Sequence, residues 1–307
     1  MISASPISPA AWPAWPGPGR CLALAAPSGA VPPDRLAAGL AVLAELVAPG
    51  PVRVDPQVRD REGYLAGGDA ARAAHLNELF ADPGVGAVLA ARGGFGLSRL
   101  LPRLDLARLA ASQKLFLGFS DLTCLLNALA VRGLVAVHGP VVTQLPRLDR
   151  QSRDEVAALL AGRPPWPAPL TGRPVRPGRA QGPLMGGNLT MLCHLLGTPF
   201  FPALGGAVLL LEDTGEAPYR LDRLLTQLEL AGVPESIVGV AVGGLSARGS
   251  YPANRVAAVE RRLADWGVPV VCGLAVGHGR ANRPVPLGAG CELDGAAGRL
   301  TVGCDCA

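Results

Sequence analysis

Residues 114–133, KLFLGFSDLTCLLNALAVRG, hold a strand end, a tight turn and a helix in direct succession. Leu115-Phe116-Leu117 is an apolar run of buried-strand type, and Gly118 permits a sharp turn. Ser120 and Asp121 follow, and Leu122 to Val131 has the apolar density and length of a helix packed on a sheet. A serine on a strand-to-helix turn is the geometry of a nucleophile elbow, with free helix N–H groups behind it. A second reading fits the same letters: Ser120 or Asp121 caps the helix, as both residue types do well. G-F-S-D also lacks the second glycine of G-x-S-x-G. The stretch leaves both readings open.

Working outward, strands and helices alternate on both sides of the turn. Cys21 to Ala26 is a strand stopped by Pro27-Ser28-Gly29, and Arg35 to Val47 is a helix with apolar residues at helical spacing. Val52 to Val54 is a short strand, Ala70 to Phe80 a helix and Val85 to Ala90 a strand. That strand runs into Arg92-Gly93-Gly94-Phe95-Gly96, followed by a helix near Leu97 to Leu101. Leu134 to Val137 is a further strand, ending at His138-Gly139-Pro140. Such alternation predicts a parallel sheet with right-handed crossovers, and its site at the carboxyl ends of the strands.

Residues 161–183 are rich in Pro, Gly and Arg and read as a linker. Beyond it, the pattern predicts helices over Leu189–Leu196, Tyr219–Leu230 and Ala253–Trp266, and strands over Ala207–Leu211, Ser236–Gly243 and Pro269–Gly273. Short runs at Val285–Leu287, Cys291–Leu293 and Arg299–Val302 read as an antiparallel hairpin set. The expected fold is α/β. A flexible Pro-rich lead (1–20) precedes an N-terminal parallel-sheet domain with flanking helices (21–160). After the linker comes a smaller C-terminal α/β domain (184–307) ending in short antiparallel strands.

Composition excludes several classes. The chain has 307 residues, 49% hydrophobic and 17% charged, which rules out a disordered protein. The net charge is only +4, Lys114 is the sole lysine, and the arginines are scattered, which argues against nucleic acid as a partner. Most of the seven cysteines lie in apolar runs, as buried thiols of a reducing compartment do; Cys304-Asp-Cys306 has no matching metal-ligand pair nearby. The N-terminus lacks signal-peptide organisation and no run of 18 apolar residues exists, so a cytoplasmic protein without a membrane span is expected.

If Ser120 is a nucleophile it needs a base, and the base needs an acceptor on its other ring nitrogen. His75 and His194 sit on helices and read as structural, and His138 is ambiguous. His278, between Gly277 and Gly279 in a loop, is the candidate base, and Glu212, after a buried strand, the candidate acid. Glu212 could equally pair with Arg220 or Arg223, and Glu216 is the fallback acid. The amides of Gly94 and Asp121 could form an oxyanion hole, although RGGFG also reads as a plain βα loop. Arg92 could hold a substrate carboxylate or serve in an ion pair; Asn188 could touch substrate or cap the next helix. No phosphate-loop motif is present.

Seven segments then carry a resemblance: AAPSG (25–29), the run from Tyr64 to Asp105, GFSDLT (118–123), VHGP (137–140), GPLMGGNLTMLCHLLGTP (182–199), LLEDTGEAPYRLDRLLTQL (210–228) and GHGRANRPVPLG (277–288). In this order they resemble the LD-carboxypeptidase family of serine peptidases, which includes murein tetrapeptide carboxypeptidases and microcin C immunity peptidases. The resemblance implies a triad of Ser120, His278 and Glu212, with an oxyanion hole from Gly94 and Asp121. It implies hydrolysis of the amide between meso-diaminopimelate and a C-terminal D-amino acid in murein stem peptides, without metal or other cofactor, by a homodimer. A peptidase cleaving a toxic aminoacyl-nucleotide and a non-catalytic cell-wall peptide-binding protein are the alternative functions.

Overall fold

The computed structural model describes residues 8–14, 19–47, 50–163, 166, 168–246, 257 and 260–303. The first half builds strands β1 (Cys21–Ala25), β2 (Val52–Arg53), β3 (Val85–Ala90), β4 (Leu115–Gly118) and β5 (Ala136–His138), parallel to one another wherever they pair. Around them lie helices α1 (Pro33–Val47), α2 (Asp69–Ala81), α3 (Leu106–Ala111), α4 (Thr123–Ala130) and α5 (Arg150–Leu160). All six residues of β3 are buried, as a strand covered on both faces requires. The two-residue period of β1 sorts its side chains. Leu22 and Leu24 pack with Leu36 and Leu43 of α1 and Val156 of α5, while Ala23 and Ala25 pack with Leu76 and Phe80 of α2.

The second half forms β6 (Leu170–Thr171), β7 (Arg173–Arg176), β8 (Arg179–Asn188), β9 (Val208–Thr214), β10 (Gly239–Ser246) and β11 (Val270–Cys272), with helices α6 (Leu189–Leu195) and α7 (Pro218–Leu230). After β12 (Val285–Leu287), strands β13 (Gly290–Asp294) and β14 (Arg299–Val302) close an eight-stranded sheet of order β6-β14-β13-β8-β9-β10-β11-β7. The first sheet has order β12-β5-β4-β3-β1-β2. The α/β architecture is therefore as expected, with its antiparallel strands in the second half.

Four expectations change. Residues 161–183 are not a free connector: they supply β6, β7 and the first half of β8. Pro174 and Pro183 fit there because only some strand amides need to donate. Second, β12 does not join the final hairpin. It pairs antiparallel with β5, Val285 opposite His138, and so completes the first sheet from the far end of the chain. Third, the lead is docked where it is described. The Ala10 amide donates to Gly288 O at 2.8 Å, Val135 N donates to Ala11 O at 2.8 Å, and the Trp12 ring lies 5.4 Å from that of Trp166. Fourth, the helix expected near Leu97 is a series of turns ending in a 3₁₀ turn over Leu101–Arg103, where Pro102 lacks the amide a longer helix would use. Instead α3 and α5 form, each started by an aspartate side chain: Asp105 accepts from Arg108 N at 3.0 Å and Asp149 from Ser152 N at 2.8 Å.

One core runs through both halves. Leu184, Val208, Leu210 and Ala241 on the inner face of the second sheet belong to the same apolar cluster as Leu122, Leu125 and Leu129 at α4. The outer face packs on α6 and α7 through Met185, Leu209, Leu211 and Val240. Among the described residues no helix is long and apolar enough to cross a membrane.

Candidate active site

Strand β4 ends at Gly118, Phe119 stays extended, and Ser120 turns into the left-handed region at φ +66°. Among the described residues only Gln113 and Ser120 do so without being glycine. Left-handed backbone costs a residue with a Cβ about 1–2 kcal/mol, and the surrounding structure must hold it. A 3₁₀ turn over Ser120–Leu122 then leads into α4. The elbow reading of the turn is thus realised in the backbone. The side chain of Ser120 does not cap the helix.

His278 arrives on the loop after β11. Its Nε2 lies 3.2 Å from Ser120 Oγ and its Nδ1 2.7 Å from Glu212 Oε2. Its ring packs on Phe119, with centroids 4.6 Å apart. Gly277 is what lets the acid approach: a Cβ there would sit 2.6 Å from Glu212 Oε2, on backbone at φ +111°. The loop is pinned from outside. Gly277 N donates to Asn282 Oδ1 at 2.8 Å, Asn282 Nδ2 to Gln144 Oε1 at 2.9 Å, and Gln144 Nε2 to the carbonyls of Gly277 and Gly279 at 3.2 Å each. Ser152 of α5 accepts from Asn282 N through its hydroxyl at 3.0 Å.

Glu212 lies within β9, not behind it, and is fully buried. Its Oε1 accepts from Asn188 Nδ2 at 3.2 Å. Asn188 also caps α6, accepting from Met191 N at 3.1 Å, and its amide nitrogen reaches Asp213 at 3.2 Å. The side chain expected to touch substrate or cap a helix thus caps, and spends its donor on the two carboxylates. Burial raises the Asp213 carboxyl above its ordinary value, against hydrogen bonds from Thr190 and the Thr214 amide. Glu216 stands apart from His278 and pairs with Arg220 at 3.5 Å.

The glycine loop after β3 lies against the serine: a Cβ on Gly93 would meet Ser120 Cβ at 3.0 Å. Asp121 ties the two together. Its carboxylate, fully buried, accepts from Leu97 N at 2.8 Å. Burial raises its pKa, opposed by the Ser28 hydroxyl, the Leu97 and Gly96 amides and the charge of Arg72. Arg72, buried in α2, donates to the carbonyls of Gly67 (3.0 Å), Gly96 (3.2 Å) and Pro27 and pairs with Asp69. It knits together three loops at one end of the sheet. Gly94 and Asp121 line the same cleft as Ser120, and Asp121 sits in the first helical turn, where amides lack intrahelical acceptors.

The cleft has a volume of about 750 Å³. Arg92 faces it while donating to the Ala30 carbonyl, and is in no ion pair with a described residue. His75 bonds Asp55 at 3.0 Å, away from the cleft, and His194 is exposed on α6. His138 is wholly buried beside the elbow, its ring 5.8 Å from Phe119, with no hydrogen bond at either nitrogen. Burial pushes its pKa down to about 4. Burial likewise pushes the Cys193 and Cys272 thiols up to about 12. No group of three metal-ligating side chains occurs among the described residues, and the Cys304–Cys306 tail lies outside them.

Residues 22–139 match the LD-carboxypeptidase N-terminal domain and residues 181–293 the LD-carboxypeptidase C-terminal domain. The chain belongs to the LD-carboxypeptidase family. Within it, the murein tetrapeptide carboxypeptidase of Pseudomonas aeruginosa is 37% identical over 292 residues, 89% of this chain and 93% of that protein. The muramoyltetrapeptide carboxypeptidase of Oxalobacter formigenes, a solved structure, superposes with a TM-score of 0.79 at 31% identity, covering 92% of this chain and 97% of its own. An MccF-like protein from Bacillus anthracis shares the fold, with a TM-score of 0.82 at 21% identity over 95% of this chain and 99% of its own.

The structure brings Ser120, His278 and Glu212 together as the sequence reading expected, and it adds supports that the reading did not name. Gln144 and Ser152 lie outside the seven segments, and Asn282 and Arg72 lie within two of them with no role assigned. Only the Asp149 cap ahead of α5 signals the helix that holds Ser152.

Proposed function

We propose that this LD-carboxypeptidase is a serine hydrolase that removes a C-terminal D-amino acid from murein stem tetrapeptides, cutting after meso-diaminopimelate during cytoplasmic peptidoglycan recycling. The observation that carries the reading is the hydrogen-bonded series Ser120–His278–Glu212 at the cleft, with the serine on a left-handed elbow. Ser120 Oγ attacks the scissile carbonyl as its proton passes to His278 Nε2. Glu212, bonded to Nδ1, keeps the ring in the tautomer that can accept at Nε2 and stabilises the imidazolium that forms. The Gly94 and Asp121 amides receive the negative charge of the tetrahedral intermediate. His278 then gives its proton to the leaving amine as the C–N bond breaks, leaving an acyl ester on Ser120. Water attacks that ester, its proton goes to His278, and the serine hydroxyl is restored as the acid product departs.

Arg92 is assigned to the terminal carboxylate that an exopeptidase must hold, because it faces the cleft without an acidic partner. Support for a murein peptide comes from the names of the Pseudomonas and Oxalobacter relatives.

Ser120→Ala should lower turnover of a defined stem tetrapeptide by about 10⁴- to 10⁶-fold, the scale of triad knock-outs. The measurement is release of the C-terminal residue by mass spectrometry, with an aminoacyl-nucleotide as a second substrate. Retained activity in the variant would remove Ser120 from the mechanism. Turnover of the nucleotide conjugate alone would replace the murein reading.

A further inference from the structure

Four arginines line the cleft: Arg35, Arg92, Arg147 and Arg280. They come from four places in the chain. Arg35 is in the first turn of α1, and Arg92 opens the glycine loop. Arg147 ends the 3₁₀ turn over Val142–Arg147, and Arg280 lies two residues beyond His278. None of them forms an ion pair with a carboxylate among the described residues, and what sets them apart from other unpaired arginines such as Arg59 and Arg132 is that they line one cleft with Ser120. Acids close to Arg147 in the chain are engaged in other ways. Asp149 caps α5, and Glu155 takes Arg283. Asp121 accepts from the Leu97 amide.

Arg92 is half-buried, and its guanidinium is made less basic first by that burial and then by the like charge of Arg35. Arg147 and Arg280 are exposed at the rim of the same cleft, and cations gathered in one concave site without a counter-charge leave that charge to a ligand. A single terminal carboxylate has two oxygens and can engage one guanidinium side-on or two end-on. It leaves Arg147 and Arg280 unanswered. The acidic lining residues are Asp121 and, from β9 and the loop after it, Asp213 and Glu216. Thr190 and Thr214 complete that edge of the cleft. Asp121 and Asp213 are buried and accept from the Leu97 and Thr190 amides, and Glu216 pairs with Arg220, so none of the three is bonded to a lining arginine.

We infer that the cleft reads a second free carboxylate, carried by the acyl part of the peptide, and that Arg147 and Arg280 hold it. The inference rests on the peptidase reading above and adds a charge requirement to it. In a stem peptide the candidate groups are the carboxylates of the second and third residues that are not in amide linkage. Arg92 and Arg35 keep the carboxylate of the leaving residue. A peptide lacking the second carboxylate would still meet Ser120, so the cost falls on binding more than on the bond-breaking step.

The test measures binding and turnover separately. Calorimetry on the Ser120→Ala chain compares the tetrapeptide with two versions in which one internal carboxylate at a time is amidated. One amidation should weaken binding by about ten- to a hundredfold, the worth of a charge-assisted contact. A chain that also carries Arg147→Gln and Arg280→Gln should bind the acid form as weakly as the amide and lose the discrimination. In the wild type the same amidation should raise KM with kcat changed less than about threefold. Equal affinity for all three peptides, no measurable binding, or discrimination that survives the double substitution would overturn the inference. If the double variant fails to fold, the amidated peptides on the Ser120→Ala chain still decide it. Failure of the peptidase reading shows differently, as a wild-type chain that releases no C-terminal residue.

Discussion

Ser120 is held by its own backbone, whereas His278 is held by side chains from other parts of the chain. The serine needs β4 behind it, a left-handed φ of +66° and α4 ahead of it, all between Leu115 and Ala130. The histidine needs Gln144, Ser152 and Asn282 to hold its loop, and Asn188 to hold the acid that orients it. A backbone-built half is rigid and local. A half built from side-chain hydrogen bonds depends on groups more than 120 residues away, such as Gln144 and Ser152. The two halves should therefore fail differently.

Among the residues that support the serine and histidine, the largest effect should come from Gly277→Ala. Its Cβ would fall 2.6 Å from Glu212 Oε2, so the acid or the loop must move. A displacement near 1 Å in a catalytic group can cost about 10²-fold, and kcat on a stem tetrapeptide should fall by at least that. A wild-type kcat would mean that the Glu212 contact is not needed.

His138 lies between the halves, and acid should reveal it. Folding holds the ring neutral, with a pKa of about 4 against an ordinary 6.5. The unfolded chain therefore takes up the proton first. Stability present above pH 6.5 is lost as pH falls through the window down to about 4, by on the order of 3 kcal/mol at ~1.4 per unit. Urea melts at pH 7, 5.5 and 4.5 should show His138→Phe losing less stability over that range than the wild type. Parallel slopes would mean the ring is not buried neutral.

Asn282→Ala removes the acceptor for Gly277 N and the donor to Gln144. It should lower kcat/KM about tenfold and cost ~1–3 kcal/mol of stability, because a buried amide loses its partner. The smallest difference is one of stability, between two variants of the elbow. Ser120→Gly should be as inactive as Ser120→Ala yet more stable than it by about 1 kcal/mol, since glycine adopts positive φ without penalty. Equal melting temperatures for those two variants would show that the turn is not strained.

The sheet of the first half was legible because buried parallel strands read as apolar runs, and β3 was delimited to the residue. The carboxylates were legible only as a cluster. Glu212 directly follows the leucines of β9 and Glu216 comes four residues later, and only the register of β9 beside β8 puts Glu212 next to Asn188 and under His278. The Pro-rich stretch 161–183 misled because composition reports backbone preference, while β7 gains its pairing from β11, nearly a hundred residues on. The same non-local pairing took β12 from its expected hairpin to β5.

By itself the sequence determined that a strand, a tight turn and a helix follow one another around Ser120, because an apolar run, a glycine and an apolar stretch of helix length are local signals; the left-handed backbone that decides between elbow and cap came from the structure. The sequence also determined the α/β order and, through seven separate motifs, the LD-carboxypeptidase family. The tertiary structure decided which carboxylate meets His278, what holds its loop, and that four unpaired arginines share the cleft with Ser120. Those are relations between side chains far apart in the chain. Only a packed core shared by both sheets brings them within hydrogen-bonding and electrostatic range.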